Sequence, residues 1–349
     1  MCKRLALVAP LVSLAILVLM PLAASAAKPP SPPPPSPGTG KILLGNGSDE
    51  IRVLDLDSGT QTVVVSTATS PQFYYLLDAI WSHGDDAQGR RWILFRAWLS
   101  GTTHPSEVWA VKEDGTDLHP VIAWNYWGAI YGPQCVALSR DDGFLAFSIY
   151  FSNTEPTHLY VQPFDAENGV LAPGSTPSEI ASVTNRVWDI LAATWSPDGQ
   201  SMALQVYETQ SGAYPDIWLV GPDPQTGPWG KFINLTNTPN AYEFRPDWSE
   251  ATAASPEGRI AFELWESATG GYRGLAYMDP AGHVTMVPTG DGWQGSLHPS
   301  WSPGAAKIAV RAYQKGNGAD IFTVNPDGTG WTNVTNTKRV NENKPAWRP

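Results

Sequence analysis

The sequence predicts an all-β fold, a six-bladed β-propeller with four antiparallel strands in each blade. Three observations carry that expectation. A short apolar segment that closes on Trp recurs along the chain, a strand-turn-strand unit recurs between these segments, and the two series are out of phase at the chain ends. Composition agrees: of 349 residues, 32 are Gly, 32 are Pro and 16 are Trp, a mixture of turn formers and large flat side chains that favours strands over helices. With 42% hydrophobic residues there is material for a large core, and the formal charge of −11 argues against nucleic acid or an anionic membrane surface as partner.

The N-terminus reads as a targeting segment. A basic start (Lys3, Arg4) precedes an apolar run from Leu5 to Leu22, and Ala24-Ser25-Ala26 supplies a small-x-small cleavage pattern. Residues 1–26 are therefore expected to be a signal peptide cleaved after Ala26, with a retained anchor as the alternative because the run nearly spans a bilayer. Cleavage would remove Cys2 and leave Cys135 alone, so the exported protein would have no internal disulfide. Residues 27–40 are a Pro-rich spacer, extended and without a core of its own. The propeller is expected over 41–349, in a periplasmic or secreted protein working as a monomer.

Within 41–349 the anchors are Trp81, Leu138, Trp195, Trp248, Trp301 and Trp347, spaced by 57, 57, 53, 53 and 46 residues. Six hairpin units alternate with them, from Asp49–Thr60 to "ADIFTVNPDGTG", and their Asp-Gly and similar pairs supply the positive φ of tight turns. These turns lack the ligand spacing and closing Glu of an EF-hand, so they are read as turns and no metal or cofactor is expected. The chain opens in mid-unit with "KILLG" and ends on a lone first strand, so the two ends are expected to complete one blade together and close the ring without a free edge. The near-duplicate segments "NLTNTPNAYEFRPDW" and "NVTNTKRVNENKPAW" are then blade-to-blade connections: an outer strand, a crossing loop and the next inner strand.

The Trp195-Ser196-Pro197-Asp198-Gly199 turn, its variant Trp301-Ser302-Pro303-Gly304 and hairpins such as "DIFTVNPDGTG" resemble the repeat of TolB-type propellers, also found in the propellers of prolyl-oligopeptidase-like enzymes. The resemblance covers Lys41–Pro349. It implies an exported protein that binds other envelope proteins and does no chemistry. It does not extend to the α/β domain that precedes the propeller in TolB, whose place is taken by the signal and spacer, nor to a hydrolase domain.

The inner strands bring one residue each, three before the anchor, to the channel mouth on the loop-rich face: Asp78, Cys135, Ala192, Arg245, His298 and Lys344. Arg245 as a planar fork and Lys344 as a point charge would dock an anion or carboxylate, with His298 beside them. Glu243 and Glu342 lie two residues upstream of these cations, and either extend a rim of alternating charge or pair locally to hold the loops. A second pattern is a polar residue followed two places later by an aromatic at the end of the second strand: Arg96/Trp98, Ser148/Tyr150, Gln205/Tyr207, Glu263/Trp265 and Arg311/Tyr313. Those rings either form a rim that stacks on sugars or grips a peptide, or fill the wedges between blades. None of the six histidines (His83, His104, His119, His158, His283, His298) pairs at metal-ligand spacing, and no nucleophile-elbow or zinc-protease motif occurs. The expected function is non-enzymatic binding of a protein or peptide partner at the loop-rich channel mouth. The alternative is an extracellular polysaccharide hydrolase or lyase with its site over the channel, for which carbohydrate would be the ligand.

Overall fold

A computed structural model describes residues 39–349, apart from segments at 47–48, 102–105, 129–131, 152–156, 181–187, 209–213, 226, 267–270, 290–292, 315–317 and 338–339. The signal segment and most of the spacer lie outside the described residues, as do parts of the loops "ETQSGAYPD" and "ESATGGYRG".

Six antiparallel sheets follow one another along the chain. Blade 1 joins the ends: its innermost strand is Glu342–Trp347, followed outward by Lys41–Asn46, Glu50–Asp55 and Gln61–Ser66. Blade 2 is Phe73–Trp81, Trp92–Leu99, Glu107–Lys112 and His119–Ile122. Blade 3 is Pro133–Leu138, Phe144–Tyr150 and Thr157–Asp165, its outer edge made by two short pieces, Val170–Leu171 and Ser178–Glu179. Blade 4 is Trp188–Trp195, Met202–Glu208, Asp216–Asp223 and Gly227–Asn234; blade 5 is Ala241–Trp248, Ile260–Glu266, Gly271–Met278 and Val284–Met286. Blade 6 is Trp293–Trp301, Ile308–Gln314, Ala319–Val324 and Thr332–Asn333. Each inner strand touches the next, and the last returns to the first, so the ring is closed. The pairing Ile42↔Trp347 to Asn46↔Glu342 ties the two ends.

The core lies between blades. Trp81 packs with Leu43, Val53, Ile93 and Phe95 at the seam of blades 1 and 2, and Trp195 with Cys135, Leu159 and Met202 at the seam of blades 3 and 4. All six anchors are buried. Some indole N–H groups also cross the seams: Trp81 Nε1 donates to the Ala346 carbonyl at 2.9 Å and Trp195 Nε1 to that of Ala137 at 3.1 Å.

The duplicated segment has a definite job. Asp216, at the start of a third strand, accepts from Asn234 Nδ2 (2.7 Å), Thr236 Oγ1 (3.0 Å) and the Thr238 N–H (3.1 Å), and Thr238 Oγ1 donates to Glu243 at 2.7 Å. Two blades on, Asp320 is embraced in the same way by Asn333, Thr335 and Thr337. The Asn-x-Thr-Asn-Thr run therefore wraps an acid of the third strand, half-buried in Asp216 and buried in Asp320, and fixes the path of each crossing loop. That satisfies backbone and side-chain groups which the turn would otherwise bury unpaired.

Candidate functional site

The six residues three before the anchors do meet in the central channel, where all six line one cavity of about 530 Å³. In blades 2, 5, 6 and 1 that residue and its successor together oppose a single residue of the second strand, a β-bulge. The first bulge residue has left-handed backbone in every case: Asp78 (φ 39°), Arg245 (57°), His298 (61°) and Lys344 (50°). A bulge removes the strict two-residue alternation, so the side chain turns from the strand face toward the channel axis. Pro246, Pro299 and Pro345 follow three of them, at positions relieved of a ladder bond. In blades 3 and 4 the extra residue comes one place earlier (Gln134, Leu191), and small uncharged residues, Cys135 and Ala192, line the cavity.

These groups form one electrostatic layer. Asp78 makes ion pairs with both Arg96 of its own blade and Lys344 of blade 1. Burial raises the Asp78 carboxyl, but the two cations overcome that and hold it far below the usual carboxylate range. The Lys344 ammonium is lowered by burial, against the pull of Asp78. Arg245 is half-buried, and its guanidinium has no ion-pair partner among the described residues. Burial weakens its hold on the proton, partly offset by the field of Glu263. His298 is held well below its ordinary value by burial and then by Arg245 and Lys344, so it stands neutral, with no hydrogen bond to its ring among the described residues. Burial pushes Glu263 up to about 7 in spite of Arg245 and Arg311. Four cations (Arg96, Arg245, Arg311, Lys344) thus face two carboxyls, Asp78 and Glu263, inside a protein of net negative charge.

The polar members of the second sequence pattern prove to be latches between blades. Arg96 Nη1 donates to the Pro133 carbonyl (3.3 Å), Ser148 Oγ to that of Ile190 (2.9 Å) and Arg311 Nε to that of Glu342 (2.8 Å). Gln205 Oε1 accepts from the Arg245 N–H at 3.0 Å, and Glu263 accepts from the His298 N–H. Each bond joins one blade to the inner strand of the next. Blade 1 has Gly45 at this place, opposite Asn343, and there the Lys344–Asp78 pair spans the seam instead. The aromatics two places on are half-exposed rather than wedged, and two of them steady the latches: Trp265 Nε1 donates to Glu263, and Arg311 donates to the Tyr313 hydroxyl while lying over its ring at 4.5 Å.

Two expectations are corrected. Glu243 and Glu342 neither join a charged rim nor pair with Arg245 and Lys344. They are buried at the start of the inner strands, beneath the crossing loops and beside Asp216 and Asp320, and burial followed by the neighbouring acid raises both, Glu243 to about 8. The bulge explains this: it swings the cation to the channel and leaves the Glu on the strand's other side. The cavity also runs away from the predicted mouth. Its walls extend from the charged layer to the turns between first and second strands, where His83, Arg140, Ser249, Glu250, Ser302 and Pro303 line it.

Sequence reasoning missed Arg140. It sits in the blade 3 turn, donates to the Trp248 carbonyl of blade 5, and approaches His83 Nε2 at 3.5 Å. Burial lowers its hold on the proton, against the pull of Asp247 and Glu250. Asp142 fixes His83 by accepting from its N–H (2.9 Å) and Nδ1 (3.0 Å). The available signal was departure from the repeat: this turn reads Leu138-Ser139-Arg140-Asp141-Asp142 where blade 4 has Trp195-Ser196-Pro197-Asp198-Gly199. Asp247, also in the cavity wall, accepts the Trp301 N–H at 2.6 Å, and burial raises it to about 6.

Solved structures with the same architecture include TolB from Acinetobacter baumannii, with a TM-score of 0.60 and 17% identity over 89% of this chain and 67% of that one. The fold is that of the TolB-type propeller. A TolB-type structure from Agrobacterium tumefaciens gives 0.54 and 18% over 84% of this chain and 87% of that one. A puromycin-hydrolyzing peptidase of Mycobacterium tuberculosis gives 0.51 and 13%, over 85% of this chain but 44% of that one. No family model matches the sequence, and no curated protein matches it. At such identities the likeness is one of fold alone.

Proposed function

We propose that the chain is an exported, non-enzymatic TolB-like propeller that binds a protein or peptide partner through its central channel, with Arg245 as the recognition cation. The observation behind this is the charged layer. A left-handed backbone costs a non-glycine residue about 1 kcal/mol, and glycine would make the same bulge more cheaply. Arg245 accepts that cost, and its guanidinium faces the cavity without an ion-pair partner among the described residues. Strained backbone that presents a charge on a rigid ring fits a recognition role better than a packing role. Lys344, expected to share the task, is occupied by Asp78 and serves the seam. Export rests on the apolar N-terminal run and its Ala-x-Ala site.

The test is cross-linking capture from the exported fraction of the source cells, using protein from Ala27 onward beside an Arg245→Glu variant. Lys344 is left intact because a carboxylate there would oppose Asp78. A partner held by the parent and lost by the folded variant supports the reading; identical capture by both overturns it.

A second reading, polysaccharide hydrolysis or lysis, is favoured by one observation. Asp247 is a carboxyl in the cavity wall raised to about 6, in the range of a general acid. Turnover of an acidic or neutral glycan that Asp247→Asn abolishes would establish it.

A further inference from the structure

We propose that the central cavity takes a carboxylate carried on a compact apolar body, admitted from the tight-turn face, with the carboxylate paired to Arg245. This rests on the channel reading above and names the chemistry of what enters. Three features of the cavity lead to it. Its volume of about 530 Å³ suits a ligand of drug-like or dipeptide size rather than a folded domain. The wall between its two ends is apolar: Ile80, Val136, Ala137, Leu191, Ala193 and Pro246. Leu191 is 46% exposed, an uncovered branched side chain on the wall of the neutral half. At the deep end stands the Arg245 guanidinium, whose planar fork matches a carboxylate in two hydrogen bonds, in a layer with more cations than acids.

The tight-turn end is itself charged in a way that selects. Arg140 crosses from blade 3 toward blade 5 and donates to the Trp248 carbonyl, with Asp247 and Glu250 within its field. A carboxylate approaching from this side meets a cation first and an apolar wall next, then Arg245. A cationic ligand would be opposed at the Arg245 end. A phosphate or sulfate would bring a second charge or a bulky hydrated group past the apolar residues of that wall.

The carboxylate could belong to a free organic acid or to the C-terminus of a peptide chain, and the experiment separates the two. Protein from Ala27 onward is titrated by calorimetry with 4-methylpentanoate, with N-acetyl-leucine, and with N-acetyl-leucine amide as the uncharged control. Binding of either acid, with the amide weaker by about tenfold or more, is the expected result. A preference for N-acetyl-leucine points to a peptide terminus, and equal or stronger binding of 4-methylpentanoate to a free acid. Arg245→Gln should lose about tenfold or more in affinity and Arg245→Lys should retain part of it. Ala192→Phe, which fills the cavity from the inner strand of blade 4 beside Arg245 and leaves the guanidinium in place, should abolish binding in a protein with an unchanged near-ultraviolet spectrum. Absence of binding by both acids at millimolar concentration, equal binding of the amide, or full binding by folded Ala192→Phe would overturn the proposal. Capture of a protein partner that depends on Arg245 would survive such a failure, so the two readings fall separately.

Discussion

The two halves of the channel wall use the same strand for different ends. In blades 2, 5, 6 and 1 the bulge places a left-handed Asp, Arg, His or Lys toward the axis; in blades 3 and 4 the irregularity comes one residue earlier, and Cys135 and Ala192 line the cavity. The latches do not differ in the same way, since Ser148 and Gln205 bond across their seams as Arg96, Glu263 and Arg311 do across theirs. Ring closure therefore does not require the charged bulges everywhere. One pair of them, Asp78 and Lys344, replaces a latch that Gly45 is unable to make. The other two, Arg245 and His298, are left over from the needs of the fold, and that surplus is the basis for reading them as functional.

The comparison breaks most visibly at Asp78. Asp78→Asn leaves Arg96 and Lys344 facing each other without a counter-charge, and the loss should be about 3 kcal/mol, read as a lower denaturant midpoint. The loop acids offer a pH test of their separation from the channel. Glu243 is raised from 4.5 to about 8, so its contribution to stability is full below its unfolded value, falls as pH rises, and is gone above about 8. The limiting slope is about 1.4 kcal/mol per pH unit. Melting temperatures at pH 5, 6.5 and 8 should fall more steeply for the parent than for Glu243→Gln. Parallel slopes would mean that Glu243 is ionised in the folded protein, as in either reading of the sequence. In the charged half, Arg245→Gly should raise stability by about 1 kcal/mol by relieving the left-handed residue, while ligand capture is lost. A stability loss instead would make Arg245 part of the scaffold. The smallest effect is expected in the neutral half. Burial raises the Cys135 thiol, and it is 4% exposed, so alkylation should be at least about tenfold slower in the native than in the unfolded protein. Rapid native labelling would mean that the neutral wall opens.

Much of this protein was legible in one dimension. Trp anchors and Asp-Gly turns at regular intervals fix strand order, and the phase offset between "KILLG" and "PAWRP" implies the closing pair that Ile42↔Trp347 makes. Local chemistry suffices there, because a strand's two-residue period and a turn's positive φ are written in adjacent residues. The Asn-x-Thr-Asn-Thr segments were correctly placed as crossings, though not the acids they enclose, since Asp216 and Asp320 come from strands well upstream.

What the site does with its charges was settled only in three dimensions. Residues Glu243 and Arg245 look like neighbours on one face until the bulge at Arg245 and Pro246 parts them. Lys344 finds its counter-charge 266 residues away in Asp78, and Arg140 finds the Trp248 carbonyl across the channel. The sequence by itself determined the six blades, their closure and the six residues that reach the axis, because repetition and hydrophobic period are local. Which of those residues are consumed by the seams and which remain for a ligand depended on bulges and on contacts between distant blades. Those are set by how the ring closes, and no single stretch of chain encodes them.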